Sequence, residues 1–138
     1  MRTSKLVAAG VCVACIGLFG CEREADNARE ISFTADVLPI LEASCIECHD
    51  VAAEGVAASG VNLSDYEGVM QGTNFGPIVV PNSSESSALY LVVAHKTDPE
   101  IHMPPHHPTA MAEGRGTTLD ENEVETIRDW IDQGAQNN

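Results

Sequence analysis

The residues best equipped for chemistry stand together in SCIECHD, Ser44 to Asp50: Cys45 and Cys48 with two residues between them, and His49 directly after. Two thiols and an imidazole at this spacing suit three chemistries, namely zinc binding, thiol–disulfide exchange and covalent attachment of haem. A structural zinc takes four ligands, yet no cysteine follows Cys48. His102, His106 and His107 would have to complete the site, which leaves His49 unexplained. Thiol exchange is expected after a strand in a βαβ context and has no need of the histidine. Haem attachment uses every residue: the thiols add across two vinyl groups on one edge of the macrocycle, and the next imidazole swings under the iron.

Compartment bears on this choice, because the redox environment decides what a cysteine pair becomes. Arg2 and Lys5 precede a run from Leu6 to Gly20 with no charged side chain, the pattern of an export signal. A bilayer takes about 20 apolar residues to span, so this run reads as a leader rather than a membrane helix. It ends in LFGC, which resembles a bacterial lipobox, with Leu18 three places before Cys21 and Gly20 just before it. That resemblance implies lipidation of Cys21 as the first mature residue; the bulky Phe19 departs from the usual small residue. Of the five cysteines, Cys12 and Cys15 fall in the leader as apolar filler, Cys21 takes lipid, and Cys45 and Cys48 remain. No cysteine is left over for a structural disulfide.

The expected organisation is a signal peptide at 1–20, a polar tether at 21–30, a single domain at 31–135 and a short tail at 136–138. Fully extended, the tether reaches about 30 Å. Removing Arg2 and Lys5 with the leader takes the formal charge from −14 to −16 with histidines neutral. Such a chain repels nucleic acid. One Trp, two Tyr and three Phe make an aromatic-poor core, and domains of this size often lean on a cofactor or crosslink.

Helices must deliver the thiols. Phe33, Val37, Ile40, Leu41 and Cys45 recur at helical spacing, and Pro39 should mark the start of the regular helix or a kink in it. The strongest helix in the chain lies in TLDENEVETIRDWIDQGA: Asp120 caps, Glu123 closes a capping box, and Leu119 staples against Val124. Val124, Ile127, Trp130 and Ile131 form its buried stripe, and Gly134 is a natural stop. Two shorter helices are expected near Asp65–Gln71 and Ser86–His95, although YLVV in the second would also suit a short strand.

An iron held by His49 on one side has a second axial position. Met70 falls at apolar spacing and reads as core, and Met111 sits in a flexible-looking stretch. Met103 stands in EIHMPPHHP, where two prolines fix the backbone just beyond it. A loop already presenting its sulfur loses less entropy on ligation. Histidines 95, 102, 106 and 107 are the rivals, and an imidazole in place of sulfur would lower the potential.

CIECH, HMPP and WIDQGA, together with Phe33, PILEASC, GVNLSDY, VVPN and SALY, make residues 31–135 resemble a small class I c-type cytochrome, closest to planctomycete-type cytochrome c domains. Val61, Ser64 and the long HHPTAMAEGRG loop depart from that pattern. The resemblance implies an all-α fold wrapped around one covalent haem c, with His49 and Met103 as axial ligands and electron transfer as the role. With both axial positions filled, no catalytic residue is expected. The runner-up is a haem peroxidase or gas sensor in which Met103 yields and His102 serves as acid–base group.

The acidic surface points to redox partners with basic docking patches and to a monomer. A lipid anchor at Cys21 would hold the domain at the periplasmic side of the cell envelope and raise its effective concentration towards membrane-bound partners.

Overall fold

The computed structural model describes residues 29–105, 112 and 118–138. The leader, Cys21, His106, His107 and Met111 lie outside the described residues. Among those described there is no β-strand, only an isolated bridge between Thr73 and Gly76, and the domain is all-α as expected. No described helix is long and apolar enough to cross a membrane.

Ser32 starts the first element, its hydroxyl accepting from the Ala35 amide at 3.2 Å. The backbone first winds as a π-helical turn, Phe33–Val37, and then as α1, Leu38–Ser44, with Pro39 in its opening turn. The boundary falls where Pro39 requires it. Without an amide hydrogen Pro39 cannot bond back to Ala35, and its ring crowds the carbonyl there, so the preceding turn widens; Val37 and Leu38 donate five residues back, to Ser32 and Phe33.

Further α-helices among the described residues are α2 Ile46–His49, α3 Glu54–Ser59, α4 Tyr66–Gln71, α5 Ala88–Val93 and α6 Glu121–Asp132. Asp65 caps α4 by accepting from the Gly68 amide at 2.7 Å. YLVV is helical. The β-branched Val92 and Val93 lower intrinsic propensity, but Leu89, Tyr90 and Val93 all face the core, and that burial decides the conformation. α3 has no counterpart among the expected helices.

α6 carries the capping box read from the sequence. The Asp120 amide donates to Glu123 Oε2 at 2.8 Å, and the Glu123 amide donates to Asp120 Oδ1 at 2.9 Å. Asp120→Ala should therefore lower stability by about 1 kcal/mol, the usual cost of losing a cap; urea unfolding measures it, and an unchanged midpoint would mean that packing alone holds the helix start. Ile127, Trp130 and Ile131 are fully buried, while Val124 and Leu119 pack against the core's edge.

Trp130 joins the first described element to the C-terminal residues. Phe33, Tyr66 and Trp130 form one aromatic cluster with centroids 5.3 to 6.4 Å apart, and Trp130 Nε1 donates to the Gln136 carbonyl at 2.9 Å. Residues 136–138 are bonded down. The Thr34 amide and the Ser32 hydroxyl donate to the Asn138 carbonyl at 3.1 and 2.7 Å, and the Phe33 amide donates to Asn138 Oδ1 at 2.9 Å. Arg29 pairs with Asp36 at 2.7 Å; the Ser32 amide and this guanidinium together hold the Asp36 carboxyl below its ordinary pKa.

Candidate haem site

Cys45 sits at the joint between α1 and α2. Its amide closes α1 by donating to the Leu41 carbonyl at 2.8 Å, while its own carbonyl accepts from the amides of Cys48 and His49 at 3.1 and 3.0 Å. One helical turn thus sets Cys45 against Cys48, and His49 follows four residues after the first thiol, on the same side.

Both thiols are free. Burial, then the charge of Glu123, pushes the Cys45 thiol up to about 11. Thiol exchange needs a thiolate near neutral pH, so this environment counts against it. Among the described residues, which leave out His106 and His107, no group of three or more His, Cys, Asp or Glu side chains is placed to hold a metal ion.

His49 is oriented from its far side. Its Nδ1 lies 3.1 Å from the Val61 carbonyl, which can only accept, so Nδ1 carries the hydrogen and the lone pair resides on Nε2. The backbone repeats the tie, with the Leu63 amide donating to the His49 carbonyl at 2.8 Å. The stretch from Gly60 to Leu63 therefore runs as a brace along α2, anchored by the buried Val61 and Leu63. Sequence reading marked GVNL only as part of a resemblance; nothing in its composition announces a hydrogen-bond acceptor for His49.

α3 closes against the same ring. At Gly55 a Cβ would sit 2.4 Å from the Cys48 carbonyl oxygen and 2.9 Å from His49 Cε1. Only a glycine allows α3 to come this close to the motif. Gly60 then ends α3 in the left-handed region at φ 80°, turning the chain into the brace.

Cys45, Cys48, His49 and Met103 all line one cavity of about 670 Å³, within the range of small-molecule and cofactor sites. Ala58, Val61, Leu63, Ile78, Leu89 and Val92 supply much of its apolar wall. Met103 comes from the opposite side of the sequence. The 3-10 turn Pro99–Ile101 leads into it, its amide donates to the Val92 carbonyl at 3.2 Å, and Pro104 behind it is buried. The donor set fits a haem c: two thiols one turn apart, an imidazole with Nε2 available, and a thioether brought to the same cavity.

Other candidates fall elsewhere. His102 is not in the cavity wall; its ring stacks on His95 at 4.3 Å and its Nε2 lies 3.1 Å from the Thr97 carbonyl. Met70 packs against the core, as its spacing indicates.

A helical domain with this motif turned into an apolar cavity is of the cytochrome c class. Residues 45–107, a stretch containing all four cavity donors, match the family model described as Planctomycete cytochrome C, which supports a planctomycete-type cytochrome c domain there. Domains of that family bind haem c covalently and carry electrons. Neither a curated protein nor a solved structure matches the chain.

Proposed function

We propose that this chain is a single-haem c-type cytochrome serving as an electron carrier at the bacterial cell envelope. The observation that carries the reading is the convergence of Cys45, Cys48, His49 and Met103 on one cavity. Cys45 and Cys48 would hold the porphyrin through thioethers, and His49 Nε2 and the Met103 sulfur would be the groups offered to the iron. When bound, the haem supplies a one-electron ferric/ferrous couple. The protein's own contribution is to fix the imidazole through the Val61 carbonyl, to exclude water with an apolar wall, and to favour the less charged ferrous state with a neutral sulfur ligand.

Peroxidase or gas-sensing chemistry draws no support from this arrangement. It needs a displaceable Met103 and an acid–base group in the distal cavity, and His102 is engaged outside it.

Cys21, lipidated after removal of residues 1–20, would tether the domain on the periplasmic side of a membrane. Glu47, Glu54 and Glu100 line the cavity, and among the described residues no Lys or Arg does. The redox partner would therefore present a basic patch, with association slowing as salt rises. Like charge disfavours self-association, and the protein acts as a monomer.

One preparation tests the whole reading. The purified mature protein should give a pyridine haemochrome spectrum of c type at one haem per chain, and its intact mass should show lipid at Cys21 with the Met1–Gly20 peptide gone. A colourless chain with free thiols at 45 and 48 would overturn the cytochrome assignment; a retained leader would overturn the anchor alone.

A further inference from the structure

We propose that Phe75 is the apolar anchor of the surface on which a basic electron-transfer protein docks. The inference rests on the cytochrome reading above. Phe75 is 98% exposed, the largest apolar side chain in the described residues turned almost wholly to solvent. It occupies the tip of a turn built without it. The Thr73 amide donates to the Gly76 carbonyl at 2.8 Å, and Thr73 Oγ1 accepts from the amides of Phe75 and Gly76 at 3.0 and 3.1 Å. At the base, a Cβ on Gly72 would lie 2.5 Å from the Gly76 carbonyl oxygen, so the chain crosses itself as closely as glycine permits. Thr73, Gly72 and Gly76 define the turn; a polar residue at 75 would serve it equally well.

The turn is also fixed to the cavity. Thr73 is part of the cavity wall, and the Asn74 amide donates to the carbonyl of Ser59, another wall residue, at 3.4 Å. The Asn74 side chain closes on Gly60, where a Cβ would be 2.9 Å away. Phe75 thus projects from a fixed backbone turn on the rim of the redox site, beside a wall whose charged members among the described residues, Glu47, Glu54 and Glu100, are all acidic. With the backbone already ordered, binding has only the two side-chain torsions of Phe75 left to fix, and aromatics are enriched at the centres of protein interfaces. The occupant this surface fits is a redox protein with an apolar centre ringed by lysine or arginine, which the carboxylates attract and Phe75 retains.

Stopped-flow electron transfer from the reduced full-length holoprotein to a lysine-rich mitochondrial cytochrome c provides the test. Phe75→Ala should lower the second-order rate at low ionic strength about tenfold, in the range for loss of an interface anchor, while Phe75→Trp preserves it. Visible spectrum, midpoint potential and thermal midpoint should match wild type in both variants, as should reduction by ascorbate. Val80→Ala, at an exposed site beside the end of α6, should leave the rate unchanged. Equal rates for Phe75→Ala and wild type would overturn the anchor, and so would an equal loss in Val80→Ala. A rate that rises with salt would overturn the basic partner. A preparation lacking covalent haem, visible in the spectrum before any kinetics, would instead sink the cytochrome reading on which the anchor depends.

Discussion

Gly55→Ala is expected to destabilise the domain by on the order of 3 kcal/mol, the upper part of the range for overpacking, and to reduce the yield of haem-loaded protein. Alanine would place its Cβ 2.4 Å from the Cys48 carbonyl oxygen, far inside contact distance, and that oxygen belongs to the backbone of α2 and has no rotamer to retreat into. The second neighbour, His49 Cε1 at 2.9 Å, belongs to the ring whose position matters most. Relief requires either that α3 lift away or that α2 shift, and a shift of α2 stretches the 3.1 Å contact between His49 Nδ1 and Val61. The loss should appear twice, as a lower midpoint in urea unfolding and as a perturbed Soret spectrum in whatever protein retains colour. Wild-type stability with wild-type spectrum would show that α3 does not rest on the motif.

Met103→Ala should leave the covalent haem in place yet change its electronics. Attachment depends on Cys45 and Cys48, which lie on the far side of the sequence from Met103, so pigment should survive acid acetone extraction. The weak sulfur-to-iron charge-transfer band of the oxidised protein in the far red should disappear. The midpoint potential should fall by on the order of 0.1 V, a fraction of the ~0.8 V over which axial ligands tune haem. The backbone of the loop gives reason to expect a local effect, since the Met103 amide is held by the Val92 carbonyl and Pro104 is buried, neither of which needs the side chain. An undiminished far-red band would mean that another thioether holds the iron, and Met111, which lies outside the described residues, would become the residue to change next.

These two residues also mark how far sequence reading reaches. Met103 was legible because two prolines beside a soft donor form a local pattern. Asp120 with Glu123, Pro39 and the stripe from Ile127 to Ile131 were legible for the same reason: caps, breaks and helical periodicity are written within a few residues. Gly55 was not. EGVAAS has too little apolar alternation to advertise a helix, and what makes α3 necessary is a close approach to a carbonyl and an imidazole that only the folded chain brings near. The brace at Val61 stayed hidden likewise, because a backbone carbonyl leaves no trace in side-chain identity. The bonds made by Asn138 and Gln133 to residues at the other end of the chain were equally invisible, being polar contacts between segments about a hundred positions apart.

The pairing of residues 29–34 with the C-terminal segment has a mechanical consequence. Any pull arriving through residue 29 is borne first by the Arg29–Asp36 pair, by Gln133 and by the bonds of Ser32, Phe33 and Thr34 to Asn138, with Trp130 wedged behind them. From there to Ser44 the path is twelve helical residues, 5 in the opening turn and 7 in α1, roughly 18 Å at the usual rise. Under the proposed anchor at Cys21, force would be spent at this pole of the domain and not at the proposed haem cavity.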